Sequence, residues 1–144
     1  MNPTTNLSLV QRAYQLAAQA HLGQKRRGGA DYLDHIDAVM TRAPKDPVDQ
    51  AVAALHDVLE DRRMTIAQLD RTLSGMTGML VVDGVITLSR KRSETYERFI
   101  LRVKNHRSGR WVSVKVADIL ANLSDSPTPA QIRKYAAALL VLIP

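Results

Sequence analysis

Ala53-Ala54-Leu55-His56-Asp57-Val58-Leu59-Glu60-Asp61 begins as an apolar helical run and ends in four side chains able to ligate a metal or move a proton. Glu60 follows His56 by four residues, and Asp61 follows Asp57 by four. On a helix, residues four apart share a face, so two parallel rows, His56/Glu60 and Asp57/Asp61, are expected while Leu55, Val58 and Leu59 face the core. An amphipathic helix with an acidic last turn is the plainer reading. It is weakened because carboxylates at a helix C-terminus oppose the helix dipole.

On either side of this stretch the chain reads as helices. A first helix is expected from about Leu7 to Leu22, with Leu9, Ala13, Leu16, Ala17 and Ala20 at 3.6-residue spacing, Thr5 or Asn6 as its cap and His21 at its end. A loop of three cations flanked by glycines, Gly23-Gln24-Lys25-Arg26-Arg27-Gly28-Gly29-Ala30-Asp31-Tyr32, follows. Glycine permits close backbone approach, and clustered cations with free N–H groups suit phosphates, although most such loops are only solvated. The second helix, about Asp31 to Thr41, carries His35. The third, about Pro47 to Asp61, carries the opening motif. Arg62-Arg63 breaks it, and Thr65 caps a fourth helix over Ile66 to Leu73. Ser74 to Thr77, with Gly75 and Gly78, is expected to turn. Met79 to Leu88 is rich in Val and Ile but has no partner strand elsewhere, so it reads as a buried helix. After a second basic cluster, Arg90-Lys91-Arg92, come helices over Ser93 to Asn105 (Ser93 as cap), Ser108 to Leu123 and Thr128 to Leu142. The helix from Ser108 is apolar nearly all round yet contains Asp118. A buried carboxylate needs a cation or donors, so Asp118 is either a site residue or half of a salt bridge with Lys115.

Length and composition agree with one all-α domain spanning 1–144, a bundle of about seven to eight helices. The 144 residues are 45% hydrophobic, enough for a core, with only seven Gly, one Phe and one Trp. There are no cysteines, which excludes disulfides and thiolate zinc sites and fits a cytoplasmic location. The start, Met1 to Asn6, lacks the basic and apolar regions of a signal peptide, and no apolar run approaches the roughly 20 residues of a membrane span. Twenty Lys and Arg against 14 Asp and Glu give a net charge of +6. That balance suits a polyanion, either nucleic acid or a phosphorylated nucleotide. The cations fall in two loops rather than along one continuous face, which favours the small nucleotide over nucleic acid.

His35, His56-Asp57 and Asp118 stand on three different helices. Two imidazoles and two carboxylates suit a divalent transition metal with open positions, and a bundle can aim such ligands inward. The order His…His-Asp…Asp resembles the HD phosphohydrolase superfamily. Within it the chain resembles the hydrolase domain of the Rel/Spo alarmone enzymes and the small alarmone hydrolases, from Ala13 to Tyr135. The matching pieces are Ala20 to Gly29 running to Tyr32 and His35, then Ala54 to Asp61 with Thr65. Val82-Asp83-Gly84-Val85 with Thr87-Leu88, and Val114 to Asp118 with Asn122-Leu123, complete them.

The resemblance implies an HD-domain helical bundle and a manganese-dependent hydrolase that removes pyrophosphate from the 3′ position of ppGpp or pppGpp. His35, His56, Asp57 and Asp118 would be its metal ligands, and Glu60 and Asp61 the acidic pair that positions or activates water. Arg26 would pack on the guanine and Arg27 takes the place of a usual Lys. Lys25, Tyr32, Arg90, Asn122 and Tyr135 complete the substrate-binding set. Another divalent metal such as Fe, Co or Zn also suits these donors. The family's Ser-Gly-Glu-Pro-Tyr is here Gly28-Gly29-Ala30-Asp31-Tyr32, its Arg-Leu-His-Asn after the Asp is Ile119-Leu120-Ala121-Asn122, and Asp125 stands where the bifunctional enzymes tend to have Thr near the base. The metal centre is therefore complete while the base side is altered. An adenine alarmone, a 2′-phosphorylated dinucleotide, or a weakly catalytic nucleotide-binding module are the alternative readings. No synthetase domain is expected after Pro144, and the sequence is silent on oligomeric state.

Overall fold

Ser8 starts the first helix with a reciprocal cap: its Oγ accepts from Gln11 N at 3.2 Å, and its own N–H donates to Gln11 Oε1 at 2.9 Å. The computed structural model describes residues 7–144, so Thr5 and Asn6 lie outside the described residues. Among the described residues eight helices follow one another: α1 Leu9–Ala20, α2 Tyr32–Arg42, α3 Pro47–Leu55, α4 Ile66–Thr72, α5 Gly75–Thr87, α6 Tyr96–Lys104, α7 Val112–Leu123 and α8 Pro129–Leu142. The all-α bundle expected from the sequence is what forms. No strand forms among the described residues; one isolated bridge pairs Lys25 with Asp31.

The bundle is built around α3. Asp46 caps it through Val48 N, Pro47 fills its first turn, and every residue from Ala51 to Leu55 is fully buried. α1 lies against it through Ala13 and Ala17, whose small side chains are completely covered. α2, α5 and α7 also contact α3, while α6 and α8 cover α7. Met79 to Leu88 falls within or just after α5, as a helix.

Several boundaries differ from the sequence reading, each for a local reason. α3 ends at Leu55, so the acidic motif does not continue a regular helix. His56 Nδ1 bonds back to Ala53 O at 2.7 Å, and Val58 N reaches only to Leu55 O, which tightens the turn. A Schellman closure follows. Arg62 adopts φ 55° and donates to Leu59 O, and Arg63 donates to Val58 O. Three carboxylates thereby leave the axis of a dipole that disfavours them. Asp57/Asp61 keeps its expected four-residue spacing, with Asp61 N on Asp57 O at 2.9 Å.

The expected turn at Gly75 and Gly78 is instead the first turn of α5. A Cβ on Gly78 would sit 2.6 Å from the carbonyl of Leu73, so that glycine serves a close approach. Thr95 rather than Ser93 caps α6, and α7 starts at Val112, after Trp111. Asp83 of the Val-Asp-Gly-Val piece is structural. It accepts from Trp111 Nε1 at 2.9 Å and faces His106 Nε2 at 3.2 Å.

Candidate metal centre and its cavity

His35 comes from the middle of α2, His56 and Asp57 from the turn just past α3, and Asp118 from α7. Packing of α2 and α7 on α3 brings them together, and all four are buried. One ligand atom each from His35, His56 and Asp118 lies within 4.8 Å of the other two. Asp118 Oδ1 is 3.1 Å from His35 Nε2 and 3.4 Å from His56 Nε2. Asp57 Oδ2 is 2.9 Å from His56 Nε2 and 3.8 Å from His35 Nε2.

The donor chemistry fits a cation. A carbonyl can only accept, so the contact to Ala53 O places the His56 proton on Nδ1 and leaves Nε2 as a lone pair. That Nε2 is buried and makes no hydrogen bond. It faces two carboxylate oxygens, so three electron-rich atoms converge with nothing but a proton or a metal ion to hold them together. Burial works against a charged His56, yet Asp57 and Asp118 outweigh it and hold the imidazole's pKa well above its ordinary value. Burial likewise opposes ionised Asp57 and Asp118. The neighbouring His56 brings Asp57 down to about 2, and Lys115 with the two histidines holds Asp118 well below the carboxylate range.

A supporting shell fixes these ligands. Tyr32 donates to Asp57 Oδ2, and its ring lies tilted between those of His21 and His35, with centroids 4.6 Å and 5.6 Å away. Lys115 Nζ binds Asp118 Oδ2 at 2.8 Å, and Asn122 Nδ2 donates to Asp118 Oδ1 at 3.2 Å. Asp118 is thus in the cluster and in the Lys115 salt bridge at once. Tyr32 and Asn122, expected to meet substrate, line the hollow described below and also bond the carboxylates of Asp57 and Asp118.

Glu60 and Asp61 stand at the mouth of the centre. Glu60 Oε1 accepts from Arg90 N at 3.0 Å, and Asp61 Oδ2 accepts from Gln24 Nε2 at 2.9 Å. Partial withdrawal from water, then repulsion by Asp57, raises each pKa above its own ordinary value. Two residues of this network are given no site role by the sequence reading. Gln24 lies inside the basic loop, and His21, 2% exposed, sets its orientation through Nδ1 on Gln24 Oε1 at 2.7 Å. A lone glutamine and a helix-end histidine carry no pattern that marks them.

Two hollows meet at this centre, and His35 lines both. One, of about 250 Å³, is walled by Tyr32, Asp57, Glu60, Asp61, Asp118 and Asn122, and further out by Arg90, Tyr96, Lys115, Lys134 and Tyr135. The other, of about 260 Å³, holds Arg26, Arg42, Ser124 and Asp125. Arg26 is tied down by Asp125 Oδ2 at 2.7 Å and Asn122 Oδ1 at 3.0 Å. Lys25 and Arg27 stay outside both hollows: Lys25 is exposed and paired with Asp31, and Arg27 is exposed. Behind the first hollow, Arg102 grips Glu94 with two hydrogen bonds, 2.8 and 3.0 Å. It also donates to the carbonyls of Thr87 and Ser89, which pins the loop that carries Arg90.

No family model matches the chain. It is 34% identical, over 99% of its length, to a probable GTP pyrophosphokinase of Mycobacterium leprae. It is 30% identical over 83% of its length to a GTP pyrophosphokinase of Streptomyces coelicolor. The chain spans 19% and 15% of the lengths of these two relatives. Among solved structures it is similar to a metazoan ortholog of SpoT described as hydrolysing ppGpp and playing a role in starvation responses. The TM-score is 0.70 and the identity 25%, over 96% of this chain and 84% of the other.

Proposed function

We propose that this chain, which has the Rel/Spo HD-type hydrolase fold and is related to enzymes of alarmone metabolism, is a metal-dependent phosphohydrolase that removes the 3′-pyrophosphate of ppGpp or pppGpp. The observation that carries the reading is the buried convergence of His35, His56, Asp57 and Asp118, with Glu60 and Asp61 at its open edge. The hydrolase half of alarmone chemistry fits these residues, since hydrolysis needs a ligand cage and a base, and these side chains can supply both.

A divalent transition metal held by the four ligands would supply Lewis-acid chemistry, polarising a phosphoryl oxygen and acidifying water. Manganese is our assignment among the metals that suit two imidazoles and two carboxylates. Glu60 or Asp61 takes the proton of the attacking water; their raised pKa values bring them closer to the range of an effective general base. The water oxygen bonds to the phosphorus next to the ribose, the bond from that phosphorus to the 3′-oxygen breaks, and the 3′-oxygen takes up a proton. Pyrophosphate leaves carrying the oxygen of water. Arg26, held flat by Asn122 and Asp125 and 5.9 Å over the Tyr32 ring, offers a guanidinium face to the base. No helix of the described residues is long and apolar enough to cross a membrane, and a dissolved nucleotide is the substrate class we assign.

Asp125 favours a second reading on the base side only. A carboxylate beside Arg26 adds an acceptor where the resemblance leads one to expect a hydroxyl, so another nucleotide with the same phosphate chemistry is the alternative substrate. The test is product analysis after incubating metal-stripped protein with ppGpp, with and without Mn²⁺. Metal-dependent release of GDP and pyrophosphate is expected. Intact ppGpp in the presence of bound Mn²⁺ would refute the guanosine alarmone assignment, and a panel of adenine and dinucleotide phosphates would then follow.

A further inference from the structure

The outer end of the 250 Å³ hollow carries a feature that the metal chemistry leaves unused. The Tyr96 hydroxyl is buried and has no hydrogen-bond partner. Leaving a buried hydroxyl unpaired costs about 1–3 kcal/mol, and because Tyr96 lines this hollow, a ligand there that reached the hydroxyl would offset that cost. Lys134 Nζ lies 4.2 Å from the Tyr96 ring centroid and 5.3 Å from that of Tyr135. Lys115 Nζ, fixed on Asp118, lies 5.9 Å from the same Tyr96 ring, and Arg90 lines the same wall. Among the described residues no carboxylate lies within ion-pair distance of Lys134 or of the Arg90 side chain. Desolvation, then the charges of Arg90 and Lys115, lower the Lys134 pKa and outweigh the opposing pull of Glu60 and Asp118. A cation–π contact alone accounts for Lys134 over the ring, but it leaves the hydroxyl unpaired and gives Arg90 no part.

We infer that Tyr96, Lys134 and Arg90 form an anion subsite for the phosphoryl group farther from the ribose, the terminal group of the departing pyrophosphate. The inference rests on the phosphohydrolase reading above, though not on the identity of the base. It fixes the direction of the substrate: the nucleoside lies toward the Arg26–Asp125 hollow, the inner phosphoryl at the histidine–aspartate centre, and the outer one between α6 and α8. Tyr96 stays a neutral donor at physiological pH, because burial pushes its pKa up to about 12. Specificity for a diphosphate over a monophosphate at the reacting position follows, since only a diphosphate reaches both places.

The test uses two probes that contain no nucleoside. The full chain and its Lys134→Met and Tyr96→Phe variants are titrated calorimetrically with inorganic pyrophosphate and with inorganic phosphate. Loss of one charge-assisted contact should weaken pyrophosphate binding about tenfold in Lys134→Met, and loss of the hydroxyl about threefold in Tyr96→Phe. Phosphate affinity should stay within about twofold, and Lys134→Arg should restore most of the pyrophosphate affinity. Unchanged pyrophosphate affinity in Lys134→Met, or an equal loss for both probes, would overturn the subsite. Turnover of ppGpp with pyrophosphate binding insensitive to Lys134 removes the subsite and leaves the alarmone assignment standing. Lys134-dependent pyrophosphate binding without ppGpp turnover does the reverse.

Discussion

Gly84→Ala tests the close approach of α5 to α3, on which the position of His56 depends. On an isolated helix the change is favourable by about 1 kcal/mol, since glycine is a poor helix former. In this fold the new Cβ would stand 2.7 Å from Val52 Cγ2, 3.0 Å from Val52 Cγ1 and 3.1 Å from Trp111 Cδ2. Val52 is β-branched, completely buried and stiff at χ1, and Trp111 is held by its bond to Asp83. Neither neighbour can swing aside, so the helices must separate. Overpacking of this kind costs about 1–3 kcal/mol, and a contact inside 3.0 Å belongs near the upper end. The net expectation is a loss of about 2 kcal/mol, or about 6 °C in Tm for a chain of this size. Urea unfolding followed by circular dichroism should show a lower midpoint at unchanged slope. Val52→Ala should be destabilising alone by about 2 kcal/mol, yet in the double variant it should recover more than about 1 kcal/mol of the Gly84→Ala loss. A Gly84→Ala protein as stable as the wild type, or a strictly additive double variant, would refute the packing argument.

Three further outcomes are expected. Tyr32→Phe removes the donor to Asp57 and should weaken metal binding about 10- to 100-fold, read by competition with a chelator, with little loss of stability. Glu60→Gln should lower kcat by about 100-fold or more. In the wild type the raised pKa of the Glu60–Asp61 pair shifts the acid limb of the pH–rate profile upward from that of a free carboxylate, activity falling as the pH drops through it; a limb shifted downward would contradict the assignment. Glu94, whose pKa the Arg102 hydrogen bonds depress from 4.5 to about 2, contributes stability that is present above pH 4.5 and lost as the pH falls toward 2. Glu94→Gln should therefore be less stable than the wild type at neutral pH, and the gap should close over that window in acid unfolding curves.

The sequence alone determined the helical architecture and the residue types that gather at the candidate centre. The period of apolar residues, the capping residues Thr65 and Thr128 and the proline at position 47 are local signals, read by each segment from its own chain. His35, His56, Asp57 and Asp118 were legible because polar groups in apolar helices are costly and therefore conspicuous. Tertiary structure decided what no local signal encodes. α3 stops at Leu55 because His56 Nδ1 turns back on its last turn and Arg62 closes the chain, a competition between hydrogen bonds that periodicity does not register. Gly84 is explained by Val52 and Trp111, both distant in the chain, and Lys25, one of three adjacent cations, is drawn off by Asp31. Gln24, Tyr96 and Lys134 carry no unusual pattern in the sequence. They become functional candidates only when folding sets a glutamine amide on Asp61, and an unpaired hydroxyl beside Lys134 and Arg90 on the lining of one hollow. Burial and charge complementarity act between distant segments, and only the packed chain brings those segments together.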